Sequence, residues 1–244
     1  IHSYAFYHCS YVQSIVIPQS IEYVADYAFY NCSNLNRLVV PSKVFEFSKD
    51  ALYNCYSLVF NTYGNCNYLG NDYDPYTLLY SKADLDTDSY TIHYSTKVIN
   101  EYAFFNSYYL NYIEIPNSVE YIGECAFSYC SNLYSISLPN SLNTIEDGLF
   151  NGCSSLSEVY IPNSVTSIGY SSFRMCKSLT SIEIPDSVTS IGDGAFARCY
   201  SLTSIKIPNS VTSIGSSAFA YCYSLTSIVI PDTVTSISSS AFNN

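Results

Sequence analysis

A 23-residue period runs through most of the 244 residues and limits the possible folds more than any other feature of the sequence. Proline, phenylalanine and cysteine each recur in a column with that spacing. The proline column comprises Pro18, Pro41, Pro116, Pro139, Pro162, Pro185, Pro208 and Pro231, with His93 in a proline position. The phenylalanine column comprises Phe6, Phe29, Phe104, Phe127, Phe150, Phe173, Phe196, Phe219 and Phe242, with Leu52 as a substitute. The cysteine column comprises Cys9, Cys32, Cys55, Cys130, Cys153, Cys176, Cys199 and Cys222, with Ser107 as a substitute. The columns predict a solenoid of about ten coils, of which the first and last are incomplete.

The coil from Ser178 to Tyr200 shows what each repeat should form. Ile182 and Ile184 alternate with polar residues, which is typical of a half-buried strand, and a proline ends it. Val188–Ile191 should form a second short extended piece, and Ala195–Cys199 leave room for one helical or 3₁₀ turn. Stacked coils bury side chains that one coil cannot, so the strands should lie parallel in one continuous sheet. At about 4.8 Å per strand, ten coils would span roughly 48 Å.

The pattern L-x-x-I-x-I-P-x-x-V-x-x-I-x-x-x-A-F-x-x-C resembles the BspA-like class of leucine-rich repeats, and the resemblance covers almost the whole chain. It implies a leucine-rich-repeat solenoid with a parallel β-sheet on its concave face and short extended or 3₁₀ segments on its convex face. It also implies a surface or secreted protein of bacteria or protozoa that adheres to host matrix proteins, host cells or other microbes. We therefore expect an extracellular or cell-surface location, although no signal peptide or anchor is visible. Residue 1 falls inside a repeat, so we expect 1–244 to be one solenoid within a longer chain.

The repeat is interrupted between Leu52 and Phe104, where the spacing is 52 residues, six more than two coils need. The segment from about 61 to 92 is rich in Tyr, Asn and Asp. Thr77–Ser81 and Ser89–Tyr94 look like strands, joined by the turn KADLDTD, so we expect a hairpin that replaces the convex part of one coil. This island is either a binding element or a solvated loop.

The charge balance excludes several classes of partner. The sequence contains nine Lys and Arg residues and 20 Asp and Glu residues, which gives a net charge of −11. Binding to nucleic acid or to anionic lipid needs a basic surface, so neither partner is expected. The sequence also lacks an apolar run of about 18 residues, so we expect no direct membrane insertion.

No residue set predicts an enzyme or a cofactor site. His2, His8 and His93 have no acid or nucleophile at the spacing of a known motif, and no nucleotide-binding or zinc-protease pattern is present. Three aspartates, Asp84, Asp86 and Asp88, alternate in the island. A solvated acidic turn is the interpretation we favour, and a calcium loop is the alternative.

The eight column cysteines predict buried, reduced thiols, because their spacing follows the coil. Disulfides between neighbouring coils are the alternative, since a separation of about 4.8 Å is compatible with such a bridge. Cys66 and Cys125 lie outside the column and are the better candidates for reactive or paired thiols.

The expected function is non-enzymatic binding or adhesion, with a protein or glycan partner at a host or microbial surface. The alternative is a structural array or filament built from further copies of the chain. Coils after Asn151 are nearly identical, whereas tyrosines concentrate earlier, so we expect contacts mainly in the irregular half and the island. The candidate partner-binding residues are Arg37, Tyr73, Tyr76, Tyr80, Tyr112, Glu114, Tyr160, Glu183 and Lys206.

Overall fold

A computed structural model describes residues 1–83 and 87–243, and within them the chain forms a solenoid of short strands with no α- or 3₁₀-helix. This part of the chain therefore contains no membrane-spanning helix. One set of strands has three residues each: β1 (Ser14–Val16), β3 (Arg37–Val39), β9 (Tyr112–Glu114), β11 (Ser135–Ser137), β13 (Glu158–Tyr160), β15 (Ser181–Glu183) and β17 (Ser204–Lys206). A second set has two residues each: β2 (Tyr23–Val24), β4 (Glu46–Phe47), β8 (Val98–Ile99), β10 (Tyr121–Ile122), β12 (Thr144–Ile145), β14 (Ser167–Ile168), β16 (Ser190–Ile191), β18 (Ser213–Ile214) and β19 (Ser236–Ile237). The island contributes β5 (Asn61–Tyr63), β6 (Cys66–Leu69) and β7 (Leu78–Lys82).

Both sets of strands pair parallel with a register of one repeat, as the period predicts. Ile182 pairs with Ile205, and Ile191 pairs with Ile214. The three-residue strands do not form the continuous sheet that was predicted. They pair as β1–β3, β9–β11–β13 and β15–β17, and residues 227–229 form no strand. The strands also lie one residue earlier than the alternation suggests, so that the residue before each proline follows the strand.

The helical or 3₁₀ turn predicted for the phenylalanine corner is wrong. The corners are instead series of hydrogen-bonded turns, and most contain two residues with positive φ, such as Gly194 at +63° and Arg198 at +62°. Left-handed residues interrupt the right-handed run that a helix requires. They also let amides pair between coils, since the amide of Phe196 donates to the carbonyl of Ala218 at 2.8 Å.

The phenylalanine and cysteine columns are buried through most of the solenoid, as predicted, and only Phe6, Phe242, Cys9 and Cys55 are partly exposed. Phe173 is fully buried and stacks on Phe196 with 5.3 Å between ring centroids and 1° between ring planes. All ten cysteines lie in the described residues and are unbridged, which agrees with the expected reduced thiols. Most repeats thus contribute one aromatic ring and one thiol to the packing of coil on coil.

The predicted island hairpin is wrong in its position. Residues 89–94 form no strand, and the tight hairpin is β5–β6, closed by Gly64 and Asn65 with φ of +54° and +64°. β6 also pairs antiparallel with β7, which in turn pairs parallel with β8. The chain thus leaves the repeat path after β4, forms the hairpin, and returns through β7 to the two-residue ladder.

These island strands separate two hydrophobic cores. Leu69 and Leu78 pack into an N-terminal core around Phe29 and Phe47. Their neighbours Tyr68 and Leu79 pack into a C-terminal core that contains the phenylalanine column from residue 104 onward. Because alternate strand residues point to opposite faces, β6 and β7 form a partition that is buried on both sides.

Candidate binding surface

The three-residue strands display their first and third side chains to solvent. The middle residue points inward, as Ile136 and Ile182 do with 4% and 6% exposure. We call the outward positions of the three-residue strands β9, β11, β13, β15 and β17 the strand face. Its side chains are Tyr112, Glu114, Ser135, Ser137, Glu158, Tyr160, Ser181, Glu183, Ser204 and Lys206.

A shallow depression of about 580 Å³ lies on the strand face. Tyr112 and Tyr160, which are 46% and 57% exposed, both line it, together with Glu158 and Glu183. Exposed aromatic rings offer apolar area, and their hydroxyls and the carboxylates offer hydrogen bonds. The depression can therefore hold a partner that presents apolar area beside hydrogen-bond donors.

Two further hollows extend this surface. Tyr112 and Glu114 also line a hollow of about 430 Å³, together with Tyr94 from the segment after the island. Lys206 lines another of about 400 Å³ beside Val229, and it is the register partner of Glu183. Five of the predicted partner-binding residues thus share one face: Tyr112, Glu114, Tyr160, Glu183 and Lys206.

Arg37 and Tyr73 lie farther toward the N-terminus. The Nη2 atom of Arg37 contacts both carboxylate oxygens of Asp72, at 2.6 and 2.9 Å. Both side chains are largely exposed, so the pair contributes about 0–1 kcal/mol to stability. Tyr73, next to Asp72, is fully exposed and free to contact a partner.

Tyr76 and Tyr80 have packing roles that the sequence does not reveal. The Tyr80 hydroxyl donates to the carbonyl of Lys49 at 2.7 Å, and its ring stacks on Phe60 at 5.3 Å. The Tyr76 ring lies 5.4 Å from Tyr68 and 4.2 Å from His93. These rings hold the island in place, Tyr80 from strand β7 and Tyr76 from the turn that precedes it.

A cluster of exposed and partly exposed tyrosines at the first corners was not among the predicted site residues. Tyr4 stacks on Tyr27 at 5.5 Å and Tyr7 on Tyr30 at 5.3 Å, and with Tyr53 they surround a hollow of about 440 Å³. The 23-residue spacing of these tyrosines is the signal that identifies them. Their hydroxyls and ring edges enlarge the aromatic surface of the N-terminal half.

Two histidines, His8 and His93, have local side-chain partners. Nε2 of His8 is 3.0 Å from Nδ2 of Asn31, and Nδ1 of His93 is 3.0 Å from Oγ of Ser95. Among residues 1–83 and 87–243, no three His, Cys, Asp or Glu side chains form a group that could hold a metal ion. Asp84 and Asp86 lie outside the described residues, so the calcium alternative stays a prediction.

Neither cysteine outside the column resembles an activated thiol. Cys66 is fully buried, and burial raises its pKa to about 12. Burial also raises the pKa of the half-buried Cys125. A raised pKa lowers the thiolate fraction at neutral pH, which makes both thiols poor nucleophiles.

Comparisons with known proteins give a consistent result. A family model described as "BspA type Leucine rich repeat region" matches six copies, over residues 1–73, 80–199 and 150–244. A crystal structure of a leucine-rich cell surface protein from Faecalibacterium prausnitzii is 26% identical, with a TM-score of 0.50, over 92% of this chain and 61% of that one. A leucine-rich repeat protein from Eubacterium ventriosum is 22% identical, with a TM-score of 0.55, over 91% and 67%. The pneumococcal vaccine antigen PcpA is 21% identical, with a TM-score of 0.51, over 94% and 66%. No curated protein matches the sequence.

Proposed function

Since this chain belongs to the BspA-type leucine-rich repeat family, we propose that it is a non-enzymatic binding protein whose strand face holds a protein or glycan partner at a microbial cell surface. The F. prausnitzii structure is described as a cell surface protein, which supports the proposed location. The chain spans 61% of that protein, so the proposal concerns the repeats alone.

The depression between Tyr112 and Tyr160 is the observation that carries the proposal. Tyrosine contributes strongly to interfaces because it buries a large rigid area and forms hydrogen bonds at its edge. The small side chains of Ser135 and Ser137, on β11 between the strands that carry the two tyrosines, line the depression. A partner can therefore approach the backbone of the sheet closely while two aromatic side chains contact its flanks.

The charges of the strand face favour a neutral or basic partner. Glu114, Glu158 and Glu183 are exposed, whereas Lys206 is the one basic side chain on this face. Complementary charge accelerates association and is screened by salt. The site spans both halves of the molecule, because Tyr112 precedes the near-identical coils and Tyr160 lies within them.

The test begins with the intact chain on an array of glycans and purified host matrix proteins, which supplies a defined partner. A double variant, Tyr112→Ser with Tyr160→Ser, should then weaken binding to that partner at least about tenfold, or about 1.4 kcal/mol. The matched control is Tyr170→Ser with Tyr223→Ser, because both of those tyrosines are more than half exposed and lie outside the depression.

The control should retain its affinity within about twofold. Unchanged affinity in the Tyr112 and Tyr160 variant, with a loss in the control, would exclude the strand face as the binding site. The absence of any partner on the array would count against both protein and glycan binding.

A further inference from the structure

The tyrosine cluster at the first corners forms two rows of rings around its hollow of about 440 Å³. Tyr4 and Tyr27 make one row, with 17° between their ring planes. The other row is Tyr7, Tyr30 and Tyr53, with 13° and 3° between successive planes. The rows meet nearly at right angles, since the planes of Tyr27 and Tyr30 differ by 76°. The volume lies in the usual range of a small-molecule pocket, about 300–1,000 Å³.

The rings of each row leave part of their faces uncovered. Centroids within a row are 5.3 to 5.6 Å apart, whereas directly superposed rings would approach to about 3.5–4.0 Å. Neighbouring rings therefore do not cover each other fully. Tyr4, Tyr7 and Tyr53 are each 52% exposed. Because the face of an aromatic ring carries partial negative charge, the hollow offers a set of weakly negative surfaces to a ligand.

The charges beside the hollow are mainly negative. Asp50 is the main cause of a raised pKa at the Tyr27 hydroxyl, and Asp26 adds to it, whereas Lys49 opposes it. Nζ of Lys49 lies 3.4 Å from the Asp50 carboxylate and 4.6 Å from the centroid of the Tyr102 ring, which is outside the hollow. The hollow is lined by tyrosines alone. Its surroundings therefore favour a positively charged ligand.

Corner rings elsewhere in the solenoid are covered by a cation. Tyr102, which lies under Lys49, occupies the same repeat position as Tyr27, two residues before the column phenylalanine. In a later coil, the guanidinium carbon of Arg198 is 5.4 Å from the centroid of the Tyr221 ring. Within residues 1–83 and 87–243, no Lys or Arg side chain lies over a ring of the tyrosine cluster. These rings are therefore free to attract a cation from a ligand.

From this arrangement we infer that the hollow binds the quaternary ammonium group of a choline-type ligand. A quaternary ammonium group has no hydrogen-bond donor, and it is held by ring faces within about 6 Å and by burial of its methyl groups. A primary ammonium group would instead need several acceptors, and the lining supplies only phenol oxygens. The site shares no residue with the strand face, and it does not depend on the proposed function.

The test uses the intact ¹⁵N-labelled chain and three probes: choline, its uncharged isostere in which a tert-butyl group replaces trimethylammonium, and phosphocholine. Choline should shift the backbone amide signals of Tyr27 and Tyr30, and saturation of the protein should transfer to its N-methyl signal. The isostere should bind at least about tenfold more weakly, because it lacks the charge. Phosphocholine separates a phosphate-bearing headgroup from the free ligand. It should bind more weakly than choline, because Asp50 and Asp26 repel its phosphate.

Substitutions locate the binding in the cluster. Tyr7→Leu with Tyr30→Leu removes two rings but keeps apolar side chains, and it should weaken choline binding about tenfold. Tyr7→Phe with Tyr30→Phe keeps the rings and should stay within about threefold of the parent chain. The matched control is Tyr200→Leu with Tyr223→Leu, which removes another stacked pair, 5.5 Å and 14° apart, outside the hollow. It should change the affinity less than about twofold.

Four results would overturn the inference. Equal affinity for choline and its isostere would show that the hollow selects apolar area rather than charge. An equal loss in the leucine pair and the control pair would show that no specific site exists. Loss of binding in the phenylalanine pair would assign recognition to the hydroxyls. Tighter binding of phosphocholine would contradict recognition of the cation alone. The comparison of probes on the parent chain needs no variant, and a dispersed spectrum without probe confirms that each variant folds.

Discussion

The thiol of Cys176 donates a hydrogen bond to the main-chain carbonyl of Phe150, 26 residues earlier, with 3.3 Å between sulfur and oxygen. The same carbonyl accepts the amide of Cys153 at 3.1 Å, so each corner carbonyl serves two successive coils. Cys199 repeats the arrangement with Phe173 at 3.1 Å. The cysteine column therefore combines apolar packing with a bond that fixes one coil against the next.

Replacing Cys176 by alanine should lower the free energy of unfolding by about 1 kcal/mol. The change removes buried volume and one weak hydrogen bond while the carbonyl of Phe150 keeps its other partner. Urea denaturation followed by circular dichroism measures the loss. The half-exposed Cys9 is the control, and Cys9→Ala should cost no more than about 0.5 kcal/mol. If both substitutions lowered the free energy of unfolding equally, the buried thiol would contribute no more to stability than the partly exposed one.

The column thiols should be free and protected from alkylation in the folded protein. Burial raises the pKa of Cys130 to about 12 and of Cys222 to about 11, which lowers the fraction of reactive thiolate. Iodoacetamide at about pH 8 should label these cysteines only after unfolding, as measured by mass spectrometry without reductant. Peptides linked by disulfides between cysteines 23 residues apart would contradict this expectation.

The same shifts predict that stability falls in alkaline solution. The pKa of Cys66 and of Cys130 is about 12 in the folded protein, against an ordinary value of 9.0. The folded state thus binds the proton more tightly, so its advantage is complete below pH 9 and is lost as the pH rises toward 12. Thermal unfolding between about pH 8 and 11 should show a falling Tm. A Tm that stays constant or rises over this range would mean that the thiols are not buried.

The phenylalanine column gives the largest expected effect on stability. Phe173 is fully buried and stacks on Phe150 and Phe196, at 5.4 and 5.3 Å. Phe173→Ala should cost about 3–5 kcal/mol, because it leaves a large cavity between two rings. The control Tyr170→Ala removes a ring that is 59% exposed and should cost about 0.5 kcal/mol or less. Similar denaturation midpoints for the two variants would refute the stacked column.

The sequence predicts the coil and its buried columns, because a fixed period assigns every residue of a repeat to the same side. Phe196 and Ile191 could be placed inside on this basis alone. The period does not reveal how closely the backbones of neighbouring coils approach each other. The glycine at residue 192 reads as a simple turn, yet its added Cβ would lie 2.7 Å from the backbone of Gly169. Packing between neighbouring coils sets how closely their backbones approach. This close approach leaves no room for a side chain at residue 192, which explains the glycine.

The island was harder to predict because its coil departs from the period. Alternation within Thr77–Ser81 correctly indicated β7, but similar alternation in Ser89–Tyr94 gave no strand. The useful signal was the dipeptide Gly64-Asn65, since two residues with positive φ favour a tight hairpin. The roles of Tyr76 and Tyr80 depended on this pairing. Candidate binding residues on the regular strands could be assigned to one face, whereas those in the island could not.

Tyr80 should act as a structural residue of the island, and substitutions of Tyr80 and Tyr73 can test this role. Its hydroxyl bonds the carbonyl of Lys49, and its ring lies 5.3 Å from Phe60 and 5.8 Å from Phe47. Tyr80→Phe keeps the ring and should cost about 1 kcal/mol for the lost hydrogen bond. Tyr80→Ser removes the ring as well and should cost about 3–5 kcal/mol. The fully exposed Tyr73 offers a matched control, and Tyr73→Ser should stay within about 0.5 kcal/mol of the parent protein. Denaturation midpoints that fall in the order parent, Tyr80→Phe, Tyr80→Ser would support the packing role, whereas equal midpoints for the two serine variants would return Tyr80 to the set of surface contacts.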